Sequence, residues 1–266
     1  ERLGLDHGTD FCAHCGQPVP WRRIDWGFLA HEVQHSVLNM DQGLLFTLRQ
    51  LMLRPGRLMR DYIEGRRARH VKPLFLIMVT AAVVVIVSRY IGDGDVMGSG
   101  VFRGAAHAAE DRTTDVPGGS SAVVVAAYMA ANDWMNRHFA LITLLLLPLE
   151  ALAFKLAFRR FRQFNYPEWL VITAFLTAQT FVLWGVLLPL AQLWEGVLSL
   201  AILLSMGYGV FSLVQFFSGY PRWKAMLRAL AGYGLFALMS VVLMFVAIGG
   251  VMAVALRAQA VTAAAG

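Results

Sequence analysis

Five long apolar runs fill the last two thirds of this chain, and any fold must find a non-aqueous place for them. They cover approximately Pro73–Ile91, His138–Phe158, Trp169–Leu190, Gly196–Phe217 and Ala229–Leu256. Each reaches the roughly 18–20 residues that a helix rising about 1.5 Å per residue needs to cross about 30 Å of hydrocarbon. Backbone polar groups inside lipid must be satisfied within the chain, and no short alternating strands are in view, so the runs read as helices. The composition agrees: 58% hydrophobic residues, 15% charged and a mean hydropathy of +0.57 lie far from a soluble domain.

The net charge of +6 raises nucleic acid as a partner, but the basic residues are gathered beside the spans. Arg54, Arg57, Arg60, Arg66, Arg67, Arg69 and Lys72 precede the first run. Lys155, Arg159, Arg160 and Arg162 separate the second from the third, and Arg222, Lys224 and Arg228 separate the fourth from the fifth. The alternate segments are poor in them: Gly92–Arg137 sets Arg103, Arg112 and Arg137 against six acidic residues. This is the positive-inside pattern. It predicts a cytoplasmic amino terminus and an outside carboxyl terminus, with the basic band anchoring the protein at the bilayer surface and no nucleic-acid partner.

Some seventy residues, many of them polar or charged, precede the first span, so it is not a signal peptide. Within them Ile24, Phe28, Leu29, Val33 and Val37 recur at helical steps. Asp41 offers an N-cap for a helix over Leu44–Leu53, Arg54-Pro55-Gly56 stops it, and Leu58–Glu64 makes a third short helix ending at Gly65. Amphipathic helices of this kind lie in the headgroup layer or pack under the bundle. The segment Gly92–Ser121 has a flexible composition, and Ala122–Met135 reads as a surface helix leading into the second span. Pro148 and Pro189 predict kinks in spans two and three.

Three features could carry chemistry. Cys12-Ala13-His14-Cys15-Gly16 has the form of a zinc knuckle, in which Cys12 and Cys15 supply two of four ligands. His7 and His14 are further candidates. The chain opens on Glu1 with no initiator Met, and a second C-x-x-C upstream would complete the site. Free cytoplasmic thiols are the alternative. Second, His31-Glu32-Val33-Gln34-His35 matches H-E-x-x-H, which on a helix places two imidazoles one turn apart with a general base beside them. No second motif supplies a third ligand, and the polar side of an amphipathic helix explains the same residues, so catalysis is not expected. Third, Glu150 falls near the middle of span two, where an acidic residue costs roughly 3 kcal/mol and so turns toward other helices or a water-filled path. Gln179 and Thr180 are its expected partners, in a proton or substrate site or in an interhelical polar contact.

The stretch Thr47-Leu48-Arg49-Gln50-Leu51, then Arg54-Pro55-Gly56, Asp61-Tyr62-Ile63, Gly65-Arg66-Arg67 and Val71-Lys72-Pro73-Leu74, resembles the uncharacterised bacterial membrane family called domain of unknown function 3667. In that family a zinc ribbon ending in C-x-x-C-G-Q precedes the same segment and several spans. Cys12, Cys15, Gly16 and Gln17 match the ribbon's end, while the ribbon's first cysteine pair is missing here. The resemblance covers about the first ninety residues. Tyr208–Phe217 and Ala225–Tyr233 also resemble Yip-type proteins, which have five spans and the same orientation. Neither resemblance implies an activity.

The sequence therefore predicts an all-α integral membrane protein of a bacterial inner membrane. Residues 1–20 form a partial zinc ribbon, 21–70 amphipathic juxtamembrane helices, and 71–266 a five-span domain with an outside loop over 92–137. The expected role is a non-enzymatic scaffold, assembly or trafficking factor that binds another membrane protein or itself. A transporter or lipid-handling protein using Glu150 with Gln179, and a tethered zinc protease using His31, Glu32 and His35, are the alternatives.

Overall fold

The computed structural model describes residues 24–27, 43–67, 70–91, 134–193 and 196–265. Among them there are helices and turns and no strand. In chain order they are α1 (Gly43–Leu53), α2 (Pro55–Ile63), α3 (Pro73–Ile91), α4 (Phe139–Ala157), α5 (Tyr166–Leu187) with a 3-10 turn at Leu188–Gln192, α6 (Val197–Phe216) and α7 (Arg222–Ala265). The last five helices are each long and apolar enough to cross a membrane. Their number, length and apolar character are compatible with a multi-pass membrane protein.

Helix α5 is the centre of the bundle. Half of its apolar window is buried, against 11% for α7. Trp169, Ile172 and Phe175 of α5 are fully enclosed, and α3, α4 and α6 all pack on α5. Helix α7 joins from outside, against α4 and α6; Phe154 meets Tyr233 edge-on at 5.0 Å across the first contact. Burial contributes little drive for helix association within lipid, so close packing and interhelical hydrogen bonds must hold such a bundle together.

The first span has the expected ends, and the others shift for identifiable reasons. Helix α5 begins at Tyr166, three residues early, because Asn165 starts it: its N–H donates to the Glu168 carboxylate at 2.7 Å and Pro167 occupies the first turn. Pro189 does not kink this helix. It falls in the 3-10 turn that ends it. Helix α7 starts at Arg222, directly after Pro221, and runs 44 residues, about 66 Å at 1.5 Å per residue. Hydropathy marks where a helix can lie in lipid, not where its hydrogen bonds stop. Likewise Pro55 and Gly56 end α1 as expected, but they also open α2, since a proline at the first helical position forfeits no hydrogen bond.

Candidate functional site

At the basic end of the bundle, α1, α2 and α6 satisfy one another's helix termini. The first N–H groups and last carbonyls of a helix have no partner within it. Gly56, in the first turn of α2, donates its N–H to Gln215 Oε1 at 2.8 Å. Arg60 Nη2 donates to the carbonyl of Phe216, the last residue of α6, and to Ser218 Oγ at 3.0 Å. In return the Tyr208 hydroxyl of α6 donates to the Met52 carbonyl near the end of α1. The short helices therefore pack under the bundle. Tyr62, fully enclosed, seals the contact by meeting Phe175 of α5 edge-on at 5.3 Å.

The turn after α2 explains Gly65. Its φ of 93° is left-handed; with Arg66 N–H donating to the Asp61 carbonyl at 2.8 Å and Gly65 N–H to that of Tyr62 at 3.3 Å, it forms a Schellman cap. Arg66 is exposed and binds Asp61 at 2.6 Å and Glu64; the hydrogen bond to Asp61, partly offset by burial, raises the guanidinium's pKa. Arg67 folds back, donating to the Tyr62 carbonyl at 2.9 Å with its guanidinium 5.3 Å from the centre of the Tyr62 ring. Lys72 leads into α3, its carbonyl accepting from Leu76 at 3.0 Å. The buried hydroxyl of Thr47 accepts the Val71 N–H at 3.0 Å, tying α1 to the start of α3. His70 stacks on Phe46 at 5.7 Å, and its Nδ1 has no hydrogen-bond partner among the described residues. Burial lowers the His70 pKa, opposed by Asp61.

Inside the bundle the polar side chains pair differently from expectation. Glu150 is half-buried and its Oε2 accepts from Thr177 Oγ1 at 3.0 Å. Neither Gln179 nor Thr180 meets it: Thr180 bonds back to the Leu176 carbonyl at 3.1 Å, while Gln179 exchanges hydrogen bonds with Ser212 at 3.0 Å in both directions. The reason is helix phase. Residues 177 and 179 are about 200° apart on α5, so one faces α4 and the other α6. The α6 partners were detectable in principle, because Tyr208, Ser212 and Gln215 recur at four and three residues, a polar stripe on one helix face.

The loop between α4 and α5 and the turn between α6 and α7 meet in an aromatic cluster. Phe158 stacks on Phe217 at 4.8 Å, and Phe161 meets Tyr220 edge-on at 5.2 Å. Arg159, Arg160, Arg162 and Arg228, together with Ala157, line an open pocket of about 600 Å³. Cys12, Cys15, His7 and His14, the motif His31, Glu32 and His35, and Arg69 lie outside the described residues. Among the described residues no three His, Cys, Asp or Glu side chains converge as a metal site.

A family model described as "Protein of unknown function (DUF3667)" matches residues 41–85, which are α1, α2 and most of α3. The match takes in neither Cys12 and Cys15 nor the stretch resembling Yip-type proteins. No curated protein and no solved structure matches the chain.

Proposed function

We propose that the chain is a non-enzymatic scaffold, assembly or trafficking factor of a bacterial inner membrane, and that it binds another membrane protein. One observation carries this reading: the matched segment spends its polar groups on the chain itself. Gly56 and Arg60 bond to α6, Thr47 to the start of α3, and Arg67 to the Tyr62 carbonyl. That builds a rigid platform in which these groups are already engaged, rather than a cleft with groups poised for substrate. Its outer surface presents Leu45, Leu53, Arg54 and Arg57, an apolar and cationic face suited to a partner. The Lys and Arg asymmetry supports a cytoplasmic amino terminus, and the resemblance at Cys12 and Cys15 supports a ribbon zinc completed by ligands beyond these two.

A photoreactive residue at Leu53 or Arg57 in native membranes tests the platform. A discrete adduct absent from a lipid-facing position, Ile86, is expected; indistinguishable labelling at all three sites rejects the reading. Reporters placed near Gln163 and after Gly266 test orientation, with cytoplasmic and periplasmic activity expected in that order. Metal analysis of protein beginning at Glu1 should give less than one tightly held zinc per chain, since Cys12 and Cys15 supply only two ligands.

The Glu150–Thr177 contact favours a second reading, a transporter or lipid-handling protein. Glu150→Gln keeps the shape and removes the charge. Loss of the cellular role in that variant alone would favour the second reading.

A further inference from the structure

We infer that the pocket lined by Arg159, Arg160, Arg162 and Arg228 holds the phosphate of an anionic phospholipid headgroup. The inference does not depend on the scaffold reading. The first three arginines follow α4 and the fourth lies in the second turn of α7, so two packed spans deliver four guanidinium groups to one concavity of about 600 Å³. Among the described residues its lining contains no carboxylate and none of the four arginines makes an ion pair. Arg228 is held in place by packing 5.5 Å from the centre of the Tyr220 ring. A cationic site so free of internal counter-charge calls for an anion, and the planar fork of arginine suits phosphate oxygens.

Position selects a lipid over a free anion. The arginines stand at the ends of membrane-spanning helices, at headgroup level, where basic pockets between spans capture phospholipid headgroups. On the same two helices Leu152, Leu156 and Leu230 are exposed and lie on the side of the arginines that leads into the apolar part of each span. A lipid seated by its phosphate could lay its acyl chains along them. Inorganic phosphate would use the arginines alone.

The test is native mass spectrometry of the full chain in mild detergent, titrated with phosphatidylglycerol, phosphatidylcholine or inorganic phosphate. Phosphatidylglycerol should bind about tenfold more tightly than phosphatidylcholine, and inorganic phosphate should not displace it at equal concentration. Arg159→Gln/Arg162→Gln/Arg228→Gln should weaken phosphatidylglycerol more than about fiftyfold, with the charge-matched Arg49→Gln/Arg222→Gln/Lys224→Gln, exposed basic residues outside the pocket, within about twofold of wild type. Equal weakening in both triple variants would mean diffuse attraction by the basic band. Displacement by phosphate would mean a free-anion site. Either result overturns the proposal, as does unchanged binding in the pocket variant. Should that variant fail to fold, a photoreactive phosphatidylglycerol on the wild-type chain decides: adducts are expected within residues 152–162 and 222–230, and adducts confined elsewhere reject the site.

Discussion

The N–H of Gly56 donates to the side-chain oxygen of Gln215 at 2.8 Å, across a sequence separation of 159 residues. At this point the start of α2 and the end of α6 also approach backbone to backbone. A Cβ on Gly56 would lie 2.5 Å from the Gln215 carbonyl carbon and as close to the Phe216 amide nitrogen. The glycine of Arg54-Pro55-Gly56 thus serves close approach, and its proline the helix start. Both residues lie within the segment that the family model matches, and packing and helix geometry account for them.

Gly56→Ala should destabilise the protein by about 1–3 kcal/mol, because the opposing atoms are backbone and cannot rotate away. Gly209→Ala is the comparison. Its Cβ would strike the Tyr233 hydroxyl, the far end of a side chain that can turn aside, so a smaller loss is expected. Thermal unfolding in detergent should rank the two in that order.

Gln179 and Ser212 should prove coupled. Both are buried and each donates to the other. A double-mutant cycle with Gln179→Leu and Ser212→Ala should return a coupling of about 0.6 kcal/mol and at most about 1.7. Additive single effects would show that the pair does not link α5 to α6.

Glu150 should face the bundle and depend on Thr177. Thr177→Val removes its donor and should cost about 1 kcal/mol, whereas Glu150→Gln retains an acceptor and should cost less. Cysteine at 150 should react more slowly with a lipid-soluble maleimide than cysteine at Leu145, whose side chain is 69% exposed on the same helix. Equal rates would place the carboxylate against lipid.

His70 should make stability fall on acidification. Burial holds its folded-state pKa below the ordinary value of 6.5, so between those two values the unfolded chain binds a proton that the folded chain does not. The His70 contribution is present above pH 6.5 and is lost as pH falls through the lower folded value. Melting temperatures measured from pH 8 to pH 5 should drop more steeply for wild type than for His70→Asn. Parallel curves would show that His70 is not the group responsible.

What the sequence determined by itself was everything governed by solvent. Apolar runs of sufficient length have one stable environment, so the five spans were legible, and Pro73–Ile91 to the residue. The helix stops at Pro55 and at Gly65 are local and were legible too, whereas the start of α2 at Pro55 was not, the sequence having placed it at Leu58. Helix ends set by hydrogen bonding were less so, as the starts at Tyr166 and Arg222 show, because a capping carboxylate or a preceding proline starts a helix regardless of hydropathy. Only the tertiary structure decided which polar groups meet. Glu150 finds Thr177 and Gln179 finds Ser212 because helix rotation and the depth of one span against the next set each pairing. The same holds for Arg228, which joins Arg159, Arg160 and Arg162 only because α7 packs on α4. Partner choice between helices depends on relative phase and height, and a one-dimensional pattern of apolar residues carries neither.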